Sequence, residues 1–288
     1  MTLHETTPLA DADLGLHARG MTVAYDGTDV VHDAELGLPR GRVTALIGPN
    51  GSGKSTLLRA IARLHRARSG SVHVSSEPGE QADALALSRS DFARRITLLA
   101  QSRPTPSGLS VRDVVGFGRH PYRRRFRGTD PEGARVIAHA LAVTGVEEFA
   151  DRGVESLSGG QLQRVWLACC LAQDTDVLLL DEPTTYLDLR YQVEILDLIR
   201  DLADTHGVTV GVVLHDLDQA AAVADRVVLL SEGRVIAAGT PSGVYDAERL
   251  SSTYGIRIDV DANPETGIPR TRAVGTHHLR TERTPAHS

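Results

Sequence analysis

Apolar and polar positions alternate over the first part of the chain and then give way to a continuous apolar run. Residues 15–25 and 30–38 alternate like half-buried strands around a turn at Asp26-Gly27, which predicts an antiparallel N-terminal layer. Residues 43–47 form an apolar run typical of a buried parallel strand. Helical spacing follows, so the pattern predicts a strand, a glycine-rich loop and a helix, the helix marked by Leu57, Leu58, Ile61 and Leu64.

The periodicity changes twice more along the chain. Between residues 102 and 156, short helical segments such as 111–117 and 134–143 are broken by Pro121 and Pro131, which predicts a helical insertion. Beyond it, helices are expected at 160–172, 190–206 and 217–224, and strands at 177–180, 208–214 and near Val227 and Val235. This alternation is typical of an α/β fold with a mainly parallel sheet.

Composition narrows the class of protein. The net charge of −6, the sequence pI near 6.0 and the aromatic share of 4% argue against binding to a nucleic acid. The apolar runs fall far short of the ~20 residues that a membrane-spanning helix needs, and the acidic N-terminus lacks a secretory-signal pattern. Cys169 and Cys170 are adjacent, which suits buried small side chains better than a metal site or a disulfide. We therefore expect residence in the cytosol, without a nucleic-acid partner.

The glycine-rich loop carries the strongest chemical signal. The pattern G-x-x-x-x-G-K-S between a strand and a helix is met by Gly48-Pro49-Asn50-Gly51-Ser52-Gly53-Lys54-Ser55-Thr56. Glycines allow backbone N–H groups to converge on a polyanion, and the helix N-terminus adds its positive end. Lys54, the only lysine in the chain, is expected to bridge the β- and γ-phosphates of a nucleotide, and the Ser55 hydroxyl to ligate Mg²⁺. A flexible linker would leave the lysine and the hydroxyls unexplained.

An acidic pair follows the strand predicted at 177–180. Asp181 stands at the carboxyl end of that strand, where ligands gather in open α/β sheets, and Glu182 comes next. Asp181 is expected to support Mg²⁺, directly or through water, and Glu182 to polarise the attacking water as a general base. Such a pair alone is also common in a solvated turn. Joined to a complete phosphate loop, it predicts nucleotide hydrolysis.

Phosphate loops also occur in kinases, GTPases and helicases, so further motifs decide the family. Residues 157–164, Leu-Ser-Gly-Gly-Gln-Leu-Gln-Arg, lie between the loop and Asp181 and resemble the signature sequence of ABC transporter ATPases. Gln101 after the strand 96–100, Asp188 after Glu182, and His215 after the strand 208–214 follow the order found in that family. The chain resembles an ABC ATPase over residues 14–258, with a helical subdomain at about 102–164 inserted in it. Residues 1–13 and 259–288 are expected to be tails without a fixed core.

The resemblance implies a P-loop NTPase fold of the ABC type, with an N-terminal antiparallel layer and a helical subdomain. Ser158 is expected to cap the following helix, whose first N–H groups at Gly159, Gly160 and Gln161 form a second anion site. One chain cannot use both anion sites for one nucleotide. The resemblance therefore implies a head-to-tail dimer of two copies, with ATP on Lys54 of one copy covered by Ser158 and Gly160 of the other.

The resemblance also assigns roles to single residues. His215 is expected to contact the γ-phosphate, Tyr25 to stack on adenine, and Asp188 to contribute to the nucleotide site. Gln101 joins the metal site and, with the helical insertion, passes movement to a membrane partner. The implied catalytic set is Glu182, His215, Lys54 and Gln101, and the implied metal ligands are Ser55, Gln101 and Asp181. Trp166 and Phe117 are interpreted as packing residues.

Finer similarities concern the cargo. Residues 118–121, 181–192 and 213–220 resemble ATPases of iron-siderophore importers for ferric citrate, enterobactin or hydroxamates, and vitamin B12 and haem importers share much of this pattern. The resemblance implies transmembrane permease subunits, an indirect substrate-binding protein and a peripheral position on the cytoplasmic face of a bacterial membrane. A soluble, non-transport ABC ATPase is the alternative, although a single cassette and an ordinary insertion favour transport. The basic run 123–127 could dock an acidic permease loop or lipid headgroups, but charge runs of this kind are typical of a solvated face, which is the interpretation adopted. His277 and His278 are unassigned.

Overall fold

A computed structural model of the chain describes residues 13–75, 81–101, 103–123 and 130–275. Its strands are β1 (Leu14–Tyr25), β2 (Thr28–Pro39), β3 (Val43–Ile47), β4 (Ala67–Val74), β5 (Ala82–Asp83), β6 (Ile96–Leu99), β7 (Val177–Asp181), β8 (Thr209–Val213), β9 (Arg226–Ser231), β10 (Arg234–Gly239), β11 (Arg257–Ala262) and β12 (Pro269–Val274). Its helices are α1 (Lys54–Ile61), α2 (Arg89–Ala93), α3 (Val111–Gly116), α4 (Gly133–Val143), α5 (Gly159–Ala172), α6 (Leu189–Asp204), α7 (Leu217–Val223), α8 (Pro241–Val244) and α9 (Ala247–Tyr254).

A six-stranded sheet in the order β10-β9-β3-β8-β7-β6 forms the centre of the fold. All its neighbouring strands are parallel except the β9/β10 pair, which confirms the predicted α/β class. Every residue of β3, β7 and β8 is buried, as expected of strands covered on both faces. Because these strands run in one direction, the loops that follow them emerge at one edge of the sheet. Those loops carry Lys54, Glu182 and His215.

A second, antiparallel sheet in the order β2-β1-β4-β5 forms the N-terminal layer. β1 pairs with β2, and Tyr25 stands opposite Thr28 around the predicted turn. The inner face of this sheet shares one buried apolar cluster with α1, to which Leu16, Met21, Leu57 and Leu58 belong. The layer therefore packs against the helix that begins at the phosphate loop. Its first strand, β1, ends at Tyr25.

The helical segments α3, α4 and α5 pack around an apolar cluster of their own. Its buried members are Val111, Val114, Val115, Ala140, Leu141, Val146, Ala150, Val154, Val165, Ala168 and Ala172. Trp166 is half-buried between this cluster and the main core, which confirms its interpretation as a packing residue. The expected insertion therefore has a separate apolar core, and α5 connects it to the central sheet.

Two expectations about apolar residues were wrong. α1 ends at Ile61, because Arg63 takes a left-handed backbone conformation with φ +59°, and Leu64 is consequently 67% exposed. Phe117 is half exposed at the start of a short 3-10 helix, Phe117–Tyr122, instead of packing in the core. Helical spacing had favoured burial of Leu64, but α1 ends before that residue, and at Phe117 the α-helix α3 gives way to the 3-10 helix.

The expected unstructured tail from residue 259 was also wrong for residues 259–274. β11 and β12 pair as an antiparallel hairpin, and Ile258 is buried in the main core beside half-buried Val260 and Ile268. Thr271 donates hydrogen bonds from its backbone N and its Oγ1 to Asp218 Oδ1, at 2.7 and 2.8 Å. The three apolar side chains hold the hairpin against the main core, and the two bonds join β12 to α7. Residues 1–12, residues 124–127 of the basic run, and His277 and His278 lie outside the described residues.

Candidate nucleotide site

The loop between β3 and α1 turns sharply at its glycines. Gly48 has a φ of +143° and Gly53 a φ of +98°, a region that favours glycine. A Cβ on Gly48 would lie 2.0 Å from the carbonyl oxygen of Leu230, so neighbouring β9 leaves no room for a side chain. α1 begins directly after Gly53, and the first N–H groups of a helix lack partners inside it. The loop and the helix end together have the geometry of an anion cradle.

The Lys54 side chain lies inside this loop. Its residue is 5% exposed, and Nζ donates to the carbonyl oxygens of Gly48 and Pro49 at 2.8 and 2.9 Å and to Ser52 Oγ at 3.4 Å. Burial lowers the pKa of Lys54, while the nearby carboxylates of Glu182 and Asp181 act in the opposite direction. The ammonium therefore stands where phosphate oxygens held by the loop can reach it.

Asp181 is a fully buried carboxylate at the end of β7. Ser55 Oγ donates to Asp181 Oδ1 at 2.6 Å, and Arg59 Nη2 donates to Oδ2 at 3.0 Å. The side chain of Asp181 is 0% exposed and that of Arg59 38% exposed. A buried charge needs a partner, and Arg59 supplies it from the next turn of α1. Arg59 had not been predicted, although its position four residues after Ser55 places both on one helix face.

Glu182 occupies the centre of a second polar group. His215 Nε2 lies 2.6 Å from Glu182 Oε1, Gln101 Nε2 donates to Oε2, and Thr185 Oγ1 donates to Oε2 at 3.3 Å. The Glu182 side chain is 10% exposed, and its φ of +55° lies in the left-handed region. Glu182 and Asp181 therefore have separate sets of partners, although they are adjacent in the chain. The structure thus brings together three side chains that are far apart in the sequence, Gln101, Glu182 and His215.

One cavity joins the phosphate loop to this polar group. Among the described residues it is lined by Val30, Asn50, Gly51, Gly53, Lys54, Ser55, Thr56, Glu182 and His215. Most residues of the predicted loop therefore face the same space as the proposed base. The two carboxylates occupy different positions: Asp181 is hydrogen-bonded to Ser55, whereas Glu182 lines the cavity.

The donor set beside the cavity fits Mg²⁺. Ser55 Oγ and Asp181 Oδ1 are neighbouring oxygens, and Mg²⁺ prefers oxygen ligands, usually one or two from protein and the rest from phosphates and water. Gln101, the third predicted ligand, contacts Glu182 instead. Within the described parts of the chain there is no cluster of three or more His, Cys, Asp or Glu side chains that could hold a metal alone.

The signature residues form a separate helix N-terminus. Ser158 caps α5, its Oγ accepting from Gln161 N at 3.3 Å and its N donating to Gln161 Oε1 at 2.9 Å, which confirms the predicted cap. A Cβ on Gly160 would lie 2.3 Å from the Tyr191 ring, so any larger residue would have to displace that ring. None of the signature residues is among the described residues that line the cavity. Asp188 likewise serves as the cap of α6, accepting from Tyr191 N at 3.0 Å.

Tyr25 stands at the end of β1 with 40% of its surface exposed. Its ring stacks on that of His65, with ring centres 4.1 Å apart and planes at 28°. His65 Nε2 lies 2.9 Å from the carbonyl oxygen of Ala24, which holds the imidazole in place. The exposed ring fits the predicted adenine platform, and no sequence pattern had pointed to His65.

Comparison with known proteins identifies the class that this fold and site define. The model of the family described as ABC transporter matches residues 31–185. The chain belongs to this family, and it is an ATP-binding ATPase subunit of the ABC type.

Relatives that match most of the chain are named for import or transport. The iron(3+)-hydroxamate import ATP-binding protein of Bacillus subtilis is 39% identical over 254 residues, which cover 88% of this chain and 93% of the relative. The ferric enterobactin transport ATP-binding protein of Escherichia coli is also 39% identical over 254 residues, with the same coverage of this chain and 92% of the relative. A cobalamin import ATP-binding protein of Halobacterium salinarum is 42% identical over 252 residues, covering 88% of this chain and 62% of the relative.

Two solved structures extend the comparison. A metal-chelate type ABC transporter in an inward-facing conformation matches with a TM-score of 0.78 and 26% identity, covering 91% of this chain and 98% of that one. A dimeric ATP-binding cassette bound to ADP and phosphate matches with a TM-score of 0.65 and 26% identity, covering 78% of this chain and 98% of that one. In the described part of this chain, no helix has the length and apolar character needed to span a membrane.

Proposed function

We propose that this chain powers a ferric-siderophore importer by hydrolysing ATP with Mg²⁺ in a head-to-tail dimer. The observation that carries the hydrolytic part is the convergence of Lys54, Ser55, Glu182 and His215 on one cavity. A phosphate cradle, an oxygen site for a cation and a carboxylate fit to act as base are the parts that phosphoanhydride hydrolysis requires.

Each residue has a distinct part in the proposed chemistry. The loop N–H groups and Lys54 bind and orient the β- and γ-phosphates. Ser55 and Asp181 would hold Mg²⁺, which would supply compensating positive charge to the phosphates. Glu182 accepts a proton from the water that attacks the γ-phosphorus, while the bond from that phosphorus to the bridging oxygen breaks and its electron pair leaves with ADP. His215 donates toward Glu182 or the γ-phosphate, and Gln101 orients the second oxygen of Glu182. Tyr25 stacks on the adenine ring.

The dimer follows from the separation of the two anion-binding helix ends. The α5 end at Ser158 has the N–H groups and the cap of an anion site, but it does not line the cavity of its own chain. We infer that Ser158, Gly159, Gly160 and Gln161 close over ATP bound by a second copy, where Asp188 also takes part. A dimeric relative of the same fold supports this arrangement.

The cargo and the membrane partners are inferred from the relatives. The relatives named for hydroxamate and enterobactin match nearly their whole length, which favours a ferric siderophore. Cobalamin is the second candidate, because a relative named for it has the higher identity of 42%, although over 62% of its length. We propose that two copies bind transmembrane permease subunits on the cytoplasmic face of the membrane, with a substrate-binding protein acting through the permease.

Uptake measurements test the cargo. In cells that lack this gene but express the permease, uptake of radioactive ferric hydroxamate or enterobactin should fall, and the wild-type gene should restore it while a Glu182→Gln gene should not. Labelled cobalamin is measured in parallel. Loss of cobalamin uptake alone would replace the siderophore with the second candidate, and unchanged uptake of all three would contradict a role in these transport processes.

A further inference from the structure

The loop that follows Glu182 is held from within by one side-chain amide. Gln192 on α6 donates from Nε2 to the carbonyl oxygen of Leu187 at 3.0 Å and lies 3.5 Å from that of Thr184. The loop backbone is strained at Tyr186, which has a φ of +66° in the left-handed region. The same residue is 95% exposed. A strained, exposed loop needs such internal bonds to keep a single conformation.

A second amide connects this loop to the segment that carries His215. Gln219 on α7 donates from Nε2 to Gln192 Oε1 at 2.8 Å, and its Oε1 lies 3.4 Å from the donor Thr184 Oγ1. The backbone N of Gln219 donates to Asp216 Oδ1 at 2.8 Å, so Gln219 lies in the turn that Asp216 caps. Asp216 directly follows His215 in the chain.

We propose that Gln192 and Gln219 form an amide bridge that couples the loop 183–188 to His215. Glu182 directly precedes the loop 183–188, and His215 directly precedes Asp216, the cap of α7, so their contact joins the loop segment to the α7 segment. The amide bridge joins the same two segments at a second place. Gln192 and Gln219 are positioning residues, since neither lines the cavity. This inference rests on the proposed function. The bridge makes the Glu182–His215 geometry depend on the loop, whose exposed Tyr186 is open to contact with the second copy.

The chain offers a matched control for these substitutions. Gln173 also donates a side-chain bond to a backbone carbonyl, from Nε2 to Ala93 at 2.6 Å, and its Oε1 accepts from Thr97 Oγ1 at 3.0 Å. It joins the C-terminal end of α5 to α2 and β6, and neither of these bonds involves the loop or α7. Gln173→Met therefore removes the same chemistry without removing the bridge.

The first experiment measures hydrogen exchange of the purified protein without nucleotide. Gln219→Met keeps the length of the side chain and removes its amide, and it should speed exchange of the Thr185 and Leu187 amides by about tenfold, because local opening becomes easier. These amides donate to turn carbonyls at 3.3 and 3.4 Å. Gln173→Met should leave them unchanged. Equal exchange in Gln219→Met and wild type would overturn the bridge, whether or not the protein hydrolyses ATP.

The second experiment measures steady-state ATP hydrolysis. Gln192→Met and Gln219→Met should each lower kcat by about tenfold with KM for ATP within about twofold, and the double variant should be no slower than the slower single one, since both remove one shared interaction. Additive losses, unchanged kcat, or an equal loss in Gln173→Met would refute the positioning role. Failure of the wild type to hydrolyse ATP would refute the proposed function, and the exchange result would still decide the bridge.

Discussion

Replacing Glu182 with glutamine tests the proposed base with the smallest structural change. The substitution keeps the size of the side chain and removes its negative charge and its ability to accept a proton. In the structure this carboxylate is 10% exposed and lies 2.6 Å from His215 Nε2, with Gln101 donating to its other oxygen. A glutamine can keep one of these contacts but cannot take a proton from water.

The expected loss of rate follows from the proposed role of Glu182 as general base. General-base catalysis contributes about 10²–10⁴-fold, which corresponds to roughly 2.7–5.4 kcal/mol at about 1.36 kcal/mol per tenfold change in rate. Binding of ATP should stay equal or improve, because Lys54 and the loop are unchanged and one negative charge near the phosphates is lost. The carboxylate of Glu182 already acts to raise the pKa of Lys54, so the two groups interact at this range.

The assay is phosphate release as a function of ATP concentration, with nucleotide binding and size-exclusion chromatography on the same samples. We expect kcat of Glu182→Gln to fall by about 10²–10⁴-fold, and ATP-bound dimers to accumulate because they no longer turn over. Glu265→Gln, an exposed carboxylate on the β11–β12 turn, serves as the control and should behave as wild type. Hydrolysis by Glu182→Gln at the wild-type rate would refute the assignment of the base.

Three further predictions concern stability, assembly and pH. Arg59→Met leaves the buried Asp181 without its ion pair and should lower the free energy of unfolding by about 1–3 kcal/mol. This loss is smaller than for a fully buried pair, because Arg59 is partly exposed. Urea denaturation with and without Mg²⁺ measures it. Unchanged stability in Mg²⁺-free buffer would contradict this. Ser158→Ala and Ser110→Ala each remove a helix cap worth about 1 kcal/mol. When each is combined with Glu182→Gln, only Ser158→Ala should abolish ATP-induced dimers. Loss of dimers in both variants would point to destabilisation alone. Burial raises the pKa of Cys169 to about 12, so the folded chain keeps its thiol proton where the unfolded chain has lost it, and the free energy of unfolding should fall as pH rises above about 9. Burial also raises the pKa of Cys170, so substituting Cys169 with alanine should make the decline shallower without abolishing it, and an unaltered slope would refute the contribution of Cys169.

Much of the site could be predicted because its chemistry is local. The phosphate loop, the Ser158 cap and the Asp181-Glu182 pair each depend on a few consecutive residues, whose glycines, hydroxyls and carboxylates stand in a fixed order. The central strands were also predictable, because a strand covered on both faces must be apolar throughout.

Other features depended on contacts between distant segments. Arg59 matters because β7 brings Asp181 beside α1, and Gln192 and Gln219 meet only because α6 and α7 pack together. The hairpin of β11 and β12 was missed because a polar composition hid a few alternating apolar residues, of which Ile258 reaches the core.

The sequence by itself determined that this chain carries one phosphate-binding cassette, with its strand, loop, helix order and its signature motif, because each element depends on neighbouring residues. Only the tertiary structure decided which side chains meet. The parallel sheet brings Gln101, Glu182 and His215 to one edge and leaves Ser158 outside that cavity, since the spatial order of strands is set by packing and not by their order in the chain. The separation of the two anion-binding ends is therefore a property of the fold, and it is the reason we propose that a second copy completes the nucleotide site.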